Sequence, residues 1–273
     1  MRDENHRMVV KLGGTEGVDF SAICQEVAGV LAQGWQMALV HGGSAQANRL
    51  GEQLGAPPRF LASPSGYTSR YTDRQTLEIF AMAVNGKVNT LLVEQLQRLG
   101  INALGLSGLD GRLFLATRKK AVQSVENGKR KIIRDDYTGK IEQVNIRLLE
   151  SLLASGYLPV VAPLAAGQEG EALNVDADRA AAMLAGGLRA EKLLLLTAAP
   201  GLLQRFPDES TLIDRLPAAR WEEALAFAEG RMKKKVLGAG EALQAGVAEV
   251  IIADGRIANP ITQALSGGGT HIG

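Results

Sequence analysis

The sequence predicts an α/β protein: a three-layer αβα sandwich with a mostly parallel central sheet and a projecting β-hairpin. Short apolar runs alternate with segments of helical periodicity over roughly the first 55 residues and again after residue 158. This alternation is typical of parallel strands joined by helices that cover both faces of a sheet. An Asn-Gly pair between two short alternating runs adds the hairpin.

The first part of the chain contains two strand–turn–helix units. Apolar runs at 8–12 and 35–40 predict strands that end at Gly13-Gly14 and at His41-Gly42-Gly43. Asp19 can cap the helix after the first turn, because its carboxylate accepts the unpaired N–H groups of a first helical turn. Both glycine turns are therefore expected at the carboxyl edge of a parallel sheet.

A long helix, a strand and the hairpin follow. Thr72 or Asp73 can open a helix whose apolar positions form one stripe: Leu77, Phe80, Ala81, Val84, Val88, Leu91 and Leu92. Residues 101–106 predict another buried strand. The stretch 111–144 breaks the α/β pattern, and its Asn127-Gly128 pair is the strongest short hairpin signal. We therefore place the β-hairpin there.

The remaining chain returns to the α/β pattern. Asn145 can cap a helix that ends at Gly156, residues 158–162 predict a strand, and a helix follows Asp176. Strand, helix and loop then alternate over 192–197, 221–228, 232–245 and 247–253. Because no linker or composition shift interrupts the chain, we expect two lobes on one continuous sheet. They comprise residues 1–168, including the hairpin, and residues 169–273.

Composition excludes several classes of protein. The 273 residues, 46% hydrophobic and 22% charged, do not fit a disordered, collagen-like or disulfide-rich protein. The net charge of +1 gives no global reason to bind nucleic acid or an anionic membrane. No apolar run approaches the ~18 residues that span a bilayer, and residues 1–7 lack the pattern of a signal peptide, so we expect a cytoplasmic protein. One Cys and three His make no metal-ligand cluster, so no protein-bound metal is expected.

Three glycine turns follow apolar strands, and they predict an anion site: KLGG at 11–14, HGGS at 41–44 and GLSG at 105–108. At the carboxyl ends of parallel strands, helix N-termini present unpaired N–H groups and positive dipole ends. Phosphate is the anion that such turns most often bind. Neither a Walker P-loop nor a GxGxxG fingerprint is present, which disfavours a P-loop kinase and a typical NAD dehydrogenase.

Motifs distributed over nearly the whole chain resemble the amino-acid kinase family, in particular its N-acetylglutamate kinase branch: VVKLGG at 9–14, HGG at 41–43, SRYTD at 69–73, LNVDAD at 173–178 and RMKKKV at 231–236. A second set is similar to the kinases that phosphorylate 2-aminoadipate carried on LysW, a small acidic amino-group carrier protein: HGGS at 41–44, PPRF at 57–60, TDRQTLEIF at 72–80, GLSGLDGRLF at 105–114 and DYTGKIEQVN at 136–145. The resemblance implies the amino-acid kinase fold and an ATP-dependent transfer to a carboxylate, in lysine and, in some relatives, arginine biosynthesis.

The resemblance also implies roles for three charged residues. Lys11 would reach the transferring phosphoryl group from the acceptor side, Lys235 from the nucleotide side, and Asp178 would hold both ammonium groups. These residue types suit the reaction, because phosphoryl transfer depends on positioning and on neutralising the charge of the moving group. Mg²⁺ would accompany ATP on the nucleotide phosphates.

Other residues match family positions for binding. Arg70 matches the arginine that binds the substrate α-carboxylate, and Asn174 the residue near the acylated α-nitrogen. The remaining expected binding residues are in loops: Gly42, Gly43 and Ser44 for the acceptor, and Gly13, Gly14, Thr197 and Gly201, with Lys11 and Lys235, for the nucleotide. By the same resemblance, residues 1–168 would bind the acceptor and residues 169–273 the nucleotide.

The hairpin region is strongly basic. Residues 118–134 hold seven basic side chains and one acidic one, a net charge of +6, which leaves −5 on the rest of the chain. Solvated lysines that protect a sheet edge would explain this pattern, but a surface for an acidic protein partner explains the segregation of charge better. The expected carrier-binding residues are Lys119, Lys120, Lys129, Arg130 and Lys131.

Three hypotheses remain open on the sequence: a carrier-dependent kinase, a kinase for free N-acetylglutamate, and a catalytically silent amino-acid sensor. Lys11, Asp178 and Lys235 argue against the sensor. The basic hairpin argues against a kinase for free N-acetylglutamate. Ser44 argues against it as well, because it replaces the third Gly of the HGGG found in typical N-acetylglutamate kinases. Ala198 stands where many relatives carry Asp. Aminoadipate and glutamate differ by one methylene, worth only ~1–3 kcal/mol, so the sequence does not separate them. A homodimer is implied by the resemblance.

Overall fold

A computed structural model describes residues 6–14, 17–62, 68–119, 121–126 and 129–273 of the chain. Its strands are, in chain order, β1 (Arg7–Leu12), β2 (Gln36–His41), β3 (Phe60–Ala62), β4 (Thr68–Arg70), β5 (Ala103–Ser107), β6 (Phe114–Arg118), β7 (Val122–Glu126), β8 (Lys129–Ile133), β9 (Gly139–Val144), β10 (Leu158–Ala162), β11 (Leu164–Ala166), β12 (Ala172–Asn174), β13 (Lys192–Thr197), β14 (Arg215–Leu216), β15 (Glu249–Asp254) and β16 (Thr270–Ile272).

The helices lie between these strands. They are α1 (Phe20–Ala32), α2 (Ser44–Gln53), α3 (Arg74–Ala81), α4 (Thr90–Arg98), α5 (Ile146–Ala154), α6 (Ala177–Gly187), α7 (Ala224–Phe227), α8 (Gly230–Gln244) and α9 (Pro260–Leu265). A π-helical segment, Met82–Asn89, joins α3 to α4, and short 3-10 turns occur at Asp110–Arg112, Glu209–Thr211 and Ala218–Glu223.

An eight-stranded sheet forms the centre of the protein. Its strand order is β14-β16-β15-β13-β1-β2-β10-β5, and all neighbours are parallel except β15 and β16. The strands β1, β2, β10 and β13 are almost fully buried, as expected for strands covered on both faces. The predicted α/β class with a mostly parallel sheet is confirmed.

Helices cover both faces of this sheet, which completes the three layers. Helices α1, α4 and α9 pack on one face, against Met8, Val10 and Leu12 of β1. Helices α5, α6 and α8 pack on the other face, where Val9 of β1 contributes to a second core. Side chains of a strand alternate between faces, so Lys11 lies on the same side as Val9, toward α6 and α8.

The predicted hairpin is present and belongs to a larger β region. Strands β7 and β8 pair antiparallel as a separate two-stranded sheet, and β7 lies against β3. A four-stranded sheet of order β12-β11-β6-β9 connects the hairpin to the rest of the protein. The Asn127-Gly128 turn itself lies outside the described residues.

The predicted long helix begins as expected and then departs from α-helical geometry. Asp73 caps it by accepting a hydrogen bond from the N–H of Thr76 at 2.8 Å. The π-helical segment then shifts the phase of the buried face, because its hydrogen bonds run from i to i+5 rather than i+4. Leu92 and Leu96 are consequently buried, whereas Leu91, which we placed on the apolar stripe, is 48% exposed. That placement was wrong.

The C-terminal end of the sheet was not predicted. After β15 the chain passes through α9 and returns as β16, which pairs antiparallel with β15 and parallel with β14. The three residues of β16 are buried but too few to give a periodic signal. Within the ranges given above, no helix is both long and apolar enough to cross a membrane.

Candidate functional site

Three charged residues meet above the carboxyl end of β1. Lys11 is the fifth residue of β1, Asp178 lies in the first turn of α6, and Lys235 lies in α8. Asp176 caps α6 through hydrogen bonds from the backbone N–H groups of Asp178 and Arg179. The cap fixes where α6 begins, and so directs Asp178 toward β1.

The Asp178 carboxylate binds both lysines. Its Oδ1 lies 2.8 Å from Lys11 Nζ, and both of its oxygens lie 3.0 Å from Lys235 Nζ. All three residues are buried, between 5% and 8% exposed. Of the three consecutive lysines at 233–235, Lys235 is the one that the helix turns toward Asp178.

The pKa values of this cluster indicate a positively charged site. Burial by itself favours the neutral acid, but the ammonium groups of Lys11 and Lys235 hold the pKa of Asp178 well below its ordinary value. Burial would likewise lower the pKa of Lys11, but Asp178 raises it overall. Burial lowers the pKa of Lys235 to about 8, with Asp178 opposing and Lys11 reinforcing the shift. At neutral pH two cations therefore share one anion.

Two glycine turns lie directly beside the charged cluster and touch each other through their backbones. A Cβ on Gly14 would lie 2.3 Å from the backbone nitrogen of Gly43, and a Cβ on Gly42 would lie 2.7 Å from Gly14 Cα. The N–H of Ala45 donates to Gly14 O at 3.2 Å, which joins the second turn to the first. Only glycine permits this approach, so the two turns form a single backbone surface facing the cavity.

A buried histidine supports the second turn. Asn89 Nδ2 donates to His41 Nε2 at 2.9 Å and also to Val160 O at 2.9 Å, so Nδ1 of His41 carries the proton and donates to Gly42 O, also at 2.9 Å. Burial, reinforced by the charge of Lys11, lowers the pKa of His41 to about 4. The ring is therefore neutral at physiological pH. Asn89 is the last residue of the π-helical segment, and no sequence signal identified this role.

Arg70 and Asn174 both line the cavity that contains the charged cluster. Arg70 Nη2 donates to Ser44 O at 3.3 Å and to Asn48 Oδ1 at 2.5 Å, and its guanidinium lies 5.3 Å from the centre of the Phe60 ring. Asn174 is at the end of β12, and its Nδ2 donates to Thr72 Oγ1 at 3.1 Å. Asn48 and Phe60 were not predicted: Asn48 stands in no motif, and Phe60 ends the PPRF motif, to which no role was assigned.

One cavity of about 890 Å³ contains all of the residues expected to bind the acceptor and the nucleotide. They are Lys11, Gly13, Gly14, Gly42, Gly43, Ser44, Arg70, Asn174, Asp178, Thr197, Gly201 and Lys235. Ala198, the departure from the family pattern, also lines it. The structure thus brings together residues that are up to 224 positions apart in the sequence. Their individual roles stay predictions.

The cavity also has lining residues that sequence reasoning missed. Lys234 donates to the Thr68 backbone oxygen at 3.0 Å, which links α8 to β4 across the cavity. Leu203, Phe206 and Phe227 add apolar surface to the cavity, and Phe206 is 69% exposed. Phe206 lies in a loop and Phe227 ends the four-residue helix α7, so neither belongs to a periodic pattern long enough to mark it.

The expected carrier-binding residues are described in part. Lys119 is exposed, lines the cavity, and follows β6 directly, whereas the exposed Lys131 lies on β8. Lys120 lies outside the described residues. Lys129 and Arg130 belong to β8, but their side chains lie outside what the structure describes. Among the residues that are described, no group of three or more His, Cys, Asp or Glu could hold a metal ion.

The sequence of this chain is similar to those of several known proteins. The sequence pattern of the Amino acid kinase family matches residues 6–254. LysW-aminoadipate kinase of Deinococcus radiodurans is 58% identical over 265 residues, 97% of this chain and 91% of the relative, and that of Thermus thermophilus is 54% identical over 267 residues, 97% and 99%. Acetylglutamate kinase of Methanopyrus kandleri is 43% identical over 216 residues, 78% and 84%.

A solved structure supports the fold. N-acetylglutamate synthase from Neisseria gonorrhoeae, complexed with coenzyme A and N-acetyl-glutamate, superposes with a TM-score of 0.79 at 24% identity. The match covers 98% of this chain and 60% of that one, so this chain corresponds to part of the synthase.

The contact between the glycine turns predicts a steric effect on stability. Gly14→Ala places a Cβ 2.3 Å from the Gly43 nitrogen, and we expect the free energy of unfolding to fall by about 1–3 kcal/mol in urea titrations. Gly29→Ala is the control, because nothing lies within 4 Å of its added Cβ in the middle of α1, and it should gain about 0.5–1 kcal/mol. An equal free energy of unfolding for the two variants would mean that the two glycine turns can move apart to make room for the added Cβ.

The neutral His41 predicts a pH dependence of stability. Its native pKa of about 4 lies below the ordinary 6.5, so the unfolded chain binds more protons between these values and stability falls as pH falls. Between pH 7 and pH 5 we expect a loss of about 2 kcal/mol from this group. His41→Gln should remove that part of the loss, whereas His6→Gln, at a half-exposed position, should retain it. Identical pH slopes for wild type and His41→Gln would contradict the prediction.

Proposed function

The chain belongs to the amino acid kinase family, and from this premise we propose that it transfers the γ-phosphoryl group of ATP to the side-chain carboxylate of 2-aminoadipate carried on an acidic LysW-type protein. Two relatives with more than half of their residues identical bear the name LysW-aminoadipate kinase. The product would be an acyl phosphate in lysine biosynthesis.

The buried cluster of Lys11, Asp178 and Lys235 is the observation that carries this proposal. Its excess positive charge lies inside the cavity and out of water, where an ammonium group acts on a developing anion far more strongly than at the surface. Transfer between ATP and a carboxylate brings two anions together. The cluster supplies the cations that this approach requires, already in place.

The reaction itself needs no proton transfer. A carboxylate oxygen of the acceptor forms a bond to the γ-phosphorus while the bond to the β–γ bridging oxygen breaks, and the electron pair of that bond leaves with ADP. No general base is required, because the acceptor is ionised before it binds. Lys11 and Lys235 would contact the equatorial oxygens from the two sides, and the N–H groups of Gly13, Gly14, Gly42 and Gly43 would bind the same charge.

Magnesium fits this site as a partner of the nucleotide. Mg²⁺ is typically held by substrate phosphates and few carboxylates, and the one carboxylate of the buried cluster already binds two lysines. When bound, the ion would neutralise phosphate charge. The protein's own residues would orient the reactants: Arg70 binds the α-carboxylate and Asn174 lies near the acylated nitrogen, while Thr197 and Gly201 contact the nucleotide.

The basic hairpin supports a carrier-bound acceptor. Lys131 is exposed on β8 of the hairpin, and Lys119 is both exposed and part of the cavity lining. A carrier docked on this surface would present its substrate at the cavity. Carrier-bound glutamate is a second acceptor to test. A homodimer, a cytoplasmic location, the absence of nucleic-acid and membrane partners, and the division into an acceptor lobe (1–168) and a nucleotide lobe (169–273) stay predictions.

Removal of either lysine tests the catalytic proposal. Lys11→Ala or Lys235→Ala should lower kcat by at least ~100-fold, the scale for losing one electrostatic stabiliser, in a protein that still unfolds cooperatively. Lys233→Ala is the matched control, because this lysine is exposed one helical position before Lys234, and it should keep wild-type turnover. Near-normal kcat in folded Lys11→Ala would remove that residue from the mechanism.

Charge reversal tests the carrier proposal. The double variant Lys119→Glu with Lys131→Glu should raise the KM for carrier-bound aminoadipate at least ~tenfold at low salt, because complementary charge directs the encounter. Turnover of free N-acetylglutamate or N-acetyl-aminoadipate should change less than about twofold in the single variant Lys131→Glu, because Lys131 is not part of the cavity lining. Added salt should raise the wild-type KM for the carrier, since exposed charge pairs are screened beyond ~8 Å.

The control for this test carries the same change of net charge at another place. Arg147→Glu with Arg215→Glu reverses two exposed arginines on α5 and β14 and should leave the carrier KM unchanged. If wild type uses free N-acetylglutamate as well as the carrier-bound substrates, and both double variants behave like wild type, the protein is a free-substrate kinase of the kind that the Methanopyrus kandleri relative represents by name.

A further inference from the structure

A short segment, whose first residue Asp136 is buried, joins the parts of the chain that hold Arg70 and Asn174. Residues 136–138 follow the hairpin strand β8 and precede β9. The N–H of Tyr137 donates to Thr72 O at 2.6 Å, and Tyr137 O accepts from the N–H of Asn174 at 2.9 Å. Tyr137 therefore lies between the chain that carries Arg70 and the end of β12, and is hydrogen-bonded to both.

The side chain of Asp136 reinforces this junction. It is 1% exposed, and its two oxygens accept from different backbone groups: Oδ2 from the N–H of Thr72 at 3.2 Å, and Oδ1 from the N–H of Thr138 at 2.7 Å. Arg118 Nε donates to the Asp136 backbone oxygen at 2.9 Å, and its guanidinium lies 3.7 Å from the centre of the Tyr137 ring. The segment is thus held from both of its sides.

Thr72 connects Asp136 to the two residues expected to bind the acceptor. Its hydroxyl, on a fully buried residue, donates to Arg70 O at 3.2 Å and accepts from Asn174 Nδ2 at 3.1 Å. One hydroxyl therefore contacts both residues expected to bind the acceptor. Asp136 fixes the backbone from which that hydroxyl extends.

We infer that Asp136 and Thr72 are positioning residues, which set Arg70 and Asn174 at the separation that the acceptor's α-carboxylate and acylated nitrogen require. This inference rests on the proposed function and adds to it the device that shapes the acceptor site. The carboxylate is needed as such, because both oxygens accept hydrogen bonds and an amide can offer only one accepting oxygen. The DYTGK motif at 136–140 thereby acquires a role separate from the charge of the hairpin.

Asp136→Asn is the direct test. The amide turns an N–H₂ group toward either the Thr72 or the Thr138 N–H, where two donors face each other, so we expect the acceptor KM to rise roughly tenfold or more. The rise should be equal for carrier-bound aminoadipate and for a free N-acetylated acceptor, and the KM for ATP should stay within about twofold. Asp135→Asn is the control, because this exposed neighbour accepts from the Tyr71 hydroxyl instead and should leave the acceptor KM unchanged.

A second pair of variants keeps the test decisive if Asp136→Asn does not fold. Thr72→Val removes the hydroxyl with little change of shape and should raise the acceptor KM, and Thr72→Ser should restore it. Unchanged acceptor KM in folded Asp136→Asn and Thr72→Val, with an active wild type, would overturn this inference and leave the proposed function intact. A wild type that is inactive on every acceptor would overturn the proposed function, and the inference with it.

Discussion

The site depends on one carboxylate shared by two ammonium groups. Asp178 can bind Lys11 and Lys235 only if the end of β1, the first turn of α6 and the middle of α8 meet, and these elements come from distant parts of the chain. Buried charges are costly without partners, so the packing of both helices on the sheet and the ionisation of the cluster require each other. The cluster does not neutralise itself, because two ammonium groups share one carboxylate, and it keeps a net positive charge.

Uncharged groups beside the cluster are held just as closely, by the contact between the two glycine turns and by the hydrogen bonds of His41. Gly14 and Gly42 place two backbones in contact, which a side chain on either would prevent, and the neutral ring of His41 holds the carbonyl of Gly42. A protonated ring beside Lys11 would add a third cation to the cluster. Because His41 is uncharged, the positive charge of the cluster comes from the two lysines alone.

Much of this could be predicted from the sequence. Periodic patterns in the sequence located most strands of the central sheet. They also located the N-terminal caps of four helices, at Asp19, Asp73, Asn145 and Asp176. The motifs identified the residues that the cavity brings together. The exposed Leu91 and the contacts of Asn89 were not predictable, because a π-helical segment follows no 3.6-residue period. Asp136 contacts Thr72, 64 positions away, and Thr72 contacts Asn174, 102 positions away, and a single sequence carries no signal for such pairs.

The π-helical segment also sets the orientation of everything that follows it. If Met82–Asn89 formed a regular α-helix with the same number of residues, everything after the segment would rotate by about 100° relative to α3. Asn89 would then point away from His41 and Val160, and Leu92 would leave the core. The π-helical geometry thus lets Asn89 support the turn at Gly42 through His41, although none of the residues Met82–Asn89 lines the cavity.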